Sequence, residues 1–180
     1  MVGRSDAFFD LAVHYVLKHE GGYTQNPLDP GGETKYGISN KSYPTLDIAR
    51  LTEDQAIEIY RRDFWDHMFL GYIENMVVAV KVFDYAVNVG PRAAAWAMQR
   101  AISDIRDKMS QPPAEVTTCE IDGICGSATI AAVNVVDPDR FMISFLGQAY
   151  RYYLALANQT YMRGWMTRLF DQPLLEEGRI

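Results

Sequence analysis

Asn75-Met76-Val77-Val78-Ala79-Val80-Lys81-Val82-Phe83-Asp84-Tyr85-Ala86-Val87-Asn88-Val89-Gly90-Pro91 is the stretch on which the fold turns. Met76, Val80, Phe83 and Val87 recur at spacings of four, three and four, the signature of a helix face buried in a core. The pattern predicts a helix from about Asn75 to Val89, read as the central one. Gly90 stops it and Pro91 starts the next, because proline at the first helical position has a preset φ and needs no amide partner. Asp84 and Asn88 stand four apart on this otherwise apolar helix and so share one side of it. Polar groups placed there must reach solvent, a hydrogen-bond partner or a cleft. Asn88 reads as a substrate contact, and Asp84 either as a second one or as a buttress of the structure.

Helices extend on both sides of this stretch. Phe9, Val13, Val16 and Leu17 define one face of a helix from about Asp6 to His19. Thr52-Glu53-Asp54-Gln55 is a capping box that opens a helix running through Trp65 or His67. After Pro91 the next helix is small-sided, with Ala93, Ala94, Ala95, Ala97 and Ala101 suiting close packing. Ser110 to Val116 reads as a linker, since Gln111-Pro112-Pro113 cannot continue a helix. A short helix is expected from Ser127. A long one starts at Asp137-Pro138, aspartate as N-cap and proline at the first turn, and runs to about Asn158. A final helix carries Trp165 and Arg168 before an acidic tail. Strand signals are confined to Tyr23-Thr24 and Lys35 to Ile38, enough for a small hairpin. The fold class expected is mainly α, with at most that hairpin, and Trp65, Trp96 and Trp165 are read as core aromatics.

At 180 residues and 48% hydrophobic content, the chain can fill one sizeable core. No stretch reaches the roughly 18 apolar residues that span a bilayer, so membrane insertion is not expected. The first residues, Met1 to Asp6, lack the apolar run of a standard secretory signal. Net charge is −6, which argues against electrostatic capture of nucleic acid or anionic membrane. Cys119 and Cys125 bracket a tight turn. They read as reduced structural thiols, with a local disulfide as the alternative, and two cysteines without suitably spaced histidines give no zinc site. No metal and no cofactor are expected.

The chemistry concentrates at Glu20-Gly21-Gly22-Tyr23, followed by Asp29-Pro30-Gly31-Gly32-Glu33-Thr34-Lys35-Tyr36-Gly37-Ile38. Gly21 and Gly22 end the first helix and leave Glu20 at its C-terminus, where unpaired carbonyls disfavour ionisation. The glycine-rich loop after it can fold further polar groups back toward that carboxylate. A glutamate that keeps its proton is a general acid for a glycosidic bond, provided a base or nucleophile stands on the opposite face. Asp29 and Thr34 are the loop's candidates for that second role. Asp29 can equally set the Asp-Pro-Gly-Gly turn, and Thr34 can position a water or face a strand neighbour. Tyr23 and Tyr36 flank the acid and read as cleft lining for a sugar, or as covers for the glycine turn.

These residues carry a family resemblance. Glu20-Gly21-Gly22-Tyr23, Pro27, Asp29-Pro30-Gly31-Gly32, Thr34 and Tyr36-Gly37-Ile38 resemble the signature of glycoside hydrolase family 108, which comprises N-acetylmuramidases including phage endolysins and secretion activators. Ile59-Tyr60-Arg61 with Trp65, Phe83 to Gly90, Met98-Gln99, Asp122 to Thr129 and Gly164 to Arg168 continue the likeness in order, from about Phe8 to Phe170. The resemblance implies a lysozyme-like helical domain with Glu20 as the catalytic residue and a second half that binds peptidoglycan. Residues 1–90 would form the catalytic region and 91–180 a binding region packed on it as one globular unit. The spacing of Glu20, Asp29 and Thr34 is also similar to the Glu, Asp, Thr arrangement of phage-type lysozymes, with one residue fewer between the last two.

The reading that follows is a monomeric peptidoglycan hydrolase. It would cleave the β-1,4 bond between N-acetylmuramic acid and N-acetylglucosamine, in cell lysis or in passage of protein through the wall. It would be made in the bacterial cytoplasm without a standard signal peptide and reach the wall after release or export. Rival readings are a lytic transglycosylase, a chitinase and a non-catalytic peptidoglycan-binding protein.

Overall fold

The computed structural model describes residues 4–19, 24–25, 32–156 and 159–171. Among these, α1 (Arg4–His19) leads into three short strands, β1 (Thr24–Gln25), β2 (Glu33–Lys35) and β3 (Ile38–Ser39). After a 3-10 turn at Ile48–Arg50 come α2 (Glu53–Tyr60), a π-helical turn (Arg61–Asp66) and a second 3-10 turn (Leu70–Tyr72). Then follow α3 (Met76–Val89), α4 (Pro91–Arg106), α5 (Ala114–Thr117), α6 (Ser127–Val135), α7 (Pro138–Ala155) and α8 (Gln159–Phe170). The mainly α, lysozyme-like expectation holds. No described helix is long and apolar enough to cross a membrane.

Helix α3 begins where its sequence says it should: Asn75 is the N-cap, its side chain accepting from the Val78 amide at 3.1 Å. The apolar spacing marks one face only, yet Val78 to Ala86 are buried without a break. All sides are covered because α1, α4 and α7 pack around the helix. Phe83 sits at the centre, edge-on to Phe9, Trp65 and Tyr60 with ring centroids 5.6–6.1 Å apart. Truncating such a residue costs about 3–5 kcal/mol, against about 1 kcal/mol for a helix cap. Packing therefore holds α3 in place, and the cap only sets where it begins.

The capping box of α2 is formed on both sides, Thr52 Oγ1 accepting from the Gln55 amide and Gln55 Oε1 from the Thr52 amide. The helix does not run regularly to Trp65 as expected. From Arg61 it widens into a π turn, a conformation that accommodates an extra residue and shifts the side chains after it to a new face. Trp65 is thereby fully enclosed against Phe9 and Phe83. Apolar periodicity cannot signal this, because the period itself changes.

The second half departs from expectation in two places. Ala114–Thr117 form a helical turn inside or beside the expected linker, begun at Pro113 and anchored by the fully buried Val116. Helix α7 starts at the Asp137 cap and Pro138 as read, with Asp137 accepting from the Arg140 amide, but ends at Ala155. Of the three tryptophans read as core aromatics, Trp65 alone is enclosed, while Trp96 and Trp165 are half-buried. Cys119 and Cys125 are both buried free thiols, the Cys125 thiol donating to the Met68 carbonyl at 3.1 Å.

Between them the turn Asp122-Gly123 is pinned by one buried side chain. Gln99 Oε1 accepts from the amides of Asp122 (3.1 Å) and Gly123 (2.9 Å), while its Nε2 donates to Asp122 Oδ1 (2.8 Å) and the Ile124 carbonyl (3.1 Å). Every hydrogen-bonding direction of the amide is used inside the protein, which makes the loop a rigid attachment to α4.

Candidate active site

Helix α1 delivers the chain to the Glu20 motif: His19 is its last residue, and Glu20 follows directly. Glu20, Tyr23 and Asp29 themselves lie outside the described residues. What the structure defines is the frame on either side of them.

On the far side of the loop stands the small sheet, in the order β1-β2-β3 and antiparallel throughout. Thr34 pairs with Thr24 on one side and Ser39 on the other. Lys35 and Ile38 pair directly, so Tyr36 and Gly37, read from the sequence as strand, are the turn of a two-residue hairpin. Both have positive φ, 52° and 74°, as this tight hairpin loop demands. Glycine takes that conformation freely, whereas tyrosine resists it and needs outside support. The support comes from α2, where the Tyr60 hydroxyl donates to the Tyr36 carbonyl at 2.7 Å. Two further bonds tie the same region down, Lys35 Nζ to the Ala49 carbonyl at 3.1 Å and the Tyr43 hydroxyl to Asp63 Oδ2 at 2.8 Å. The Arg62 guanidinium, together with the Tyr43 hydroxyl, holds Asp63 below the usual carboxylate range.

The residue after Tyr60 holds the other flank. Arg61 Nη1 donates to Asp6 Oδ1 at 2.9 Å and its guanidinium lies 4.1 Å from the centre of the Phe9 ring, both on α1. Consecutive residues at the mouth of the π turn thus grip the two elements between which Glu20 and its loop run. The Tyr60-Arg61 pair was visible in the sequence, but its roles were not, since neither residue stands out by charge pattern or period.

Asp84 and Asn88 share one side of α3, as their spacing requires, but their surroundings differ. Asp84 is 2% exposed and accepts from Arg168 Nε at 2.7 Å, with Lys81 Nζ at 3.5 Å. Lys81, also enclosed, donates to the carbonyls of Arg168 (2.6 Å) and Asp171 (2.9 Å), and burial pulls its pKa down. The Tyr15 hydroxyl donates to Asp171 Oδ2 at 2.8 Å. Burial, reinforced by that bond to a carboxylate, pushes the phenol well above its usual pKa. This network locks α1, α3 and the end of α8 together, and within it Asp84 sits as a buttress. Asn88 is half-buried, donates to the Tyr153 hydroxyl at 2.8 Å, and lines a groove of about 550 Å³ with Arg163, Trp165, Thr167 and Arg168. Trp165 stacks on Tyr153, ring centroids 5.0 Å apart. The structure therefore gathers Thr34 with Tyr36 on the hairpin and Asn88 with the α8 side chains. Among the described residues, no three His, Cys, Asp or Glu side chains gather as a metal site would need.

Two families match the chain in succession. Residues 13–90 match the family described as Glycosyl hydrolase 108, and residues 92–170 match the one described as Predicted Peptidoglycan domain. The first half of the chain is thus similar to the glycosyl hydrolase 108 family and the second half to the peptidoglycan domain. In three dimensions it is similar to SagA of Brucella abortus, with a TM-score of 0.74 and 25% identity, covering 91% of this chain and 90% of that one. Among curated proteins none matches it significantly. A role in hydrolysing or binding peptidoglycan follows, with peptidoglycan as the partner.

Proposed function

We propose that the protein is an N-acetylmuramidase that hydrolyses the β-1,4 bond between N-acetylmuramic acid and N-acetylglucosamine. Glu20 is the general acid that protonates the leaving oxygen, while Asp29 or Thr34 handles the attacking water from across the loop. Tyr23 and Tyr36 line the sugar cleft, and Asn88 contacts the substrate. Residues 1–90 carry the catalysis and 91–180 hold the wall, within a monomer that works on the wall after release or export. The observation that carries the reading is the match of residues 13–90 to the glycosyl hydrolase family across the Glu-Gly-Gly-Tyr motif. The frame supports it, because α1 ends one residue before Glu20 and both flanks of the loop are anchored by Tyr60 and Arg61.

The test is product analysis of purified peptidoglycan digested by the wild type and by Glu20→Gln. Hydrolysis leaves reducing muropeptides that carry one added water, whereas a transglycosylase leaves 1,6-anhydro ends. The variant is expected to fold normally and release nothing. Near-full activity in Glu20→Gln would remove Glu20 from its role. Wall binding by the wild type without release of reducing ends would favour the non-catalytic reading, which the match of residues 92–170 also accommodates.

A further inference from the structure

Helices α4 and α7 meet along a groove whose two walls have the same construction. From α4 come Ala93, Trp96, Ala97 and Arg100, and from α7 come Gln148, Arg151, Tyr152 and Ala155. Each set follows the spacing i, i+3, i+4, i+7, one continuous helix face. The alanines let the walls approach, and each wall then contributes one arginine and one aromatic ring. The cavity is about 350 Å³, within the roughly 300–1,000 Å³ typical of small-ligand sites.

The charge of this groove is opposite to that of the protein. The chain carries a net −6, yet no Asp or Glu lines the cavity. Arg100 and Arg151 are exposed, and among the described residues neither has a carboxylate partner. Asp104, one turn beyond Arg100, accepts from Ser144 Oγ and Gln148 Nε2 and is thereby occupied. Trp96 is fixed before any ligand arrives. The Arg92 guanidinium lies 4.9 Å from its ring centre, and Gly123 closes on its indole edge so tightly that a Cβ there would meet Nε1 at 2.9 Å. Gly123 is itself held by Gln99. A preset aromatic wall loses little freedom on binding, and guanidinium groups pair with carboxylates through matched, charge-assisted hydrogen bonds.

We propose that this groove is the wall-holding site of the second half and that it takes the carboxylate-bearing units of peptidoglycan. Arg100 and Arg151 bind a carboxylate from either side, and Trp96 and Tyr152 cover the adjoining sugar or peptide. The assignment rests on the peptidoglycan reading of residues 92–170. The carboxylate has two possible sources, the stem peptide or the lactyl group of a muramic acid that has lost its peptide.

The experiment is co-sedimentation of the full chain, in a Glu20→Gln background so that the wall stays intact, with purified sacculi. The same chain is compared with its Arg100→Gln/Arg151→Gln double variant. Binding is expected to weaken about tenfold in the double variant, to be salt-sensitive in the parent, and to occur at an unchanged melting temperature, since both arginines are exposed. Loss on sacculi but not on amidase-stripped glycan strands assigns the stem peptide, loss on the stripped strands alone assigns the lactyl carboxylate that stripping frees, and loss on both means that the groove takes either carboxylate. If the parent binds and the double variant binds equally well to both, the groove assignment is overturned while the peptidoglycan reading stands. If the parent does not bind sacculi at all, both fall. An equal loss on uncharged chitin oligomers also overturns it, because a carboxylate is then not what the arginines hold.

Discussion

The Tyr60 hydroxyl donates to the Tyr36 carbonyl at 2.7 Å, joining the end of α2 to a hairpin turn whose tyrosine has φ of 52°. The bond restrains a backbone conformation that tyrosine disfavours, at the edge of the loop that holds the candidate catalytic groups. Tyr60→Phe is expected to lower stability by about 1 kcal/mol and to lower wall-lytic activity by a larger factor, because the hairpin loses its anchor while the core keeps its ring. Thermal melts and turbidity assays on the same preparations check this. Unchanged activity alongside the expected loss of stability would confine the bond to a structural role.

Asp84 stands between Lys81 and Arg168 with 3% of its side chain exposed. Removing one partner of a buried ion cluster strands the others, so Asp84→Ala should destabilise by about 3–5 kcal/mol. Urea unfolding measures it. A cost below about 1 kcal/mol would mean that the cluster contributes little beyond what its cations can find elsewhere. Activity per folded molecule should survive if Asp84 only buttresses, and fall if it also contacts substrate.

Cys125 has its thiol pKa pushed up to about 12 by burial, and burial raises that of Cys119 as well. Thiolate is the reactive form. Both cysteines should resist a thiol-specific colour reagent in native protein at pH 8 and react together once the chain unfolds in denaturant. Rapid labelling of native protein would contradict the buried, reduced arrangement.

Asp63 is held below its ordinary pKa by the Arg62 guanidinium, and Asp122 by the Ile124 amide and then the Gln99 amide. For a carboxyl whose folded pKa is depressed, the stabilisation is present above its unfolded pKa and is lost as pH falls through the folded one. Stability should therefore decline below about pH 4. Asp63→Asn should make that decline shallower by removing one of the groups that takes up a proton on unfolding. Melting temperatures between pH 2 and 6 for both proteins decide it, and parallel curves would discount Asp63.

The helical class, the start of α3 at Asn75, the Thr52 capping box, the Gly90-Pro91 break and the Asp137-Pro138 start were all legible in the chain. Caps, prolines and apolar spacing act over a few residues, and their physics is complete within that span. The family motifs were legible for the same reason, as short strings of fixed order. Two of the elements that defeated this local reading show why. The π turn at Arg61 changes the period on which the reading depends, and Tyr36-Gly37 looked like strand because a turn with positive φ at both residues leaves only its glycine as a sign.

What the sequence determined by itself was therefore where most of the helices begin, and which family its motifs resemble. Tertiary structure decided the rest, because the deciding contacts join residues far apart in the chain. Lys81 and Asp84 can be buried only because Arg168 and the end of α8 return to satisfy them. The Asp122-Gly123 turn is rigid because Gln99, on another helix, fills its amides. Arg100 and Arg151 form one cationic groove only because α4 and α7 pack side by side. Spacing along a chain fixes which side of a helix a residue takes, but the cost of burying a charge is met only by a partner that the fold brings to it.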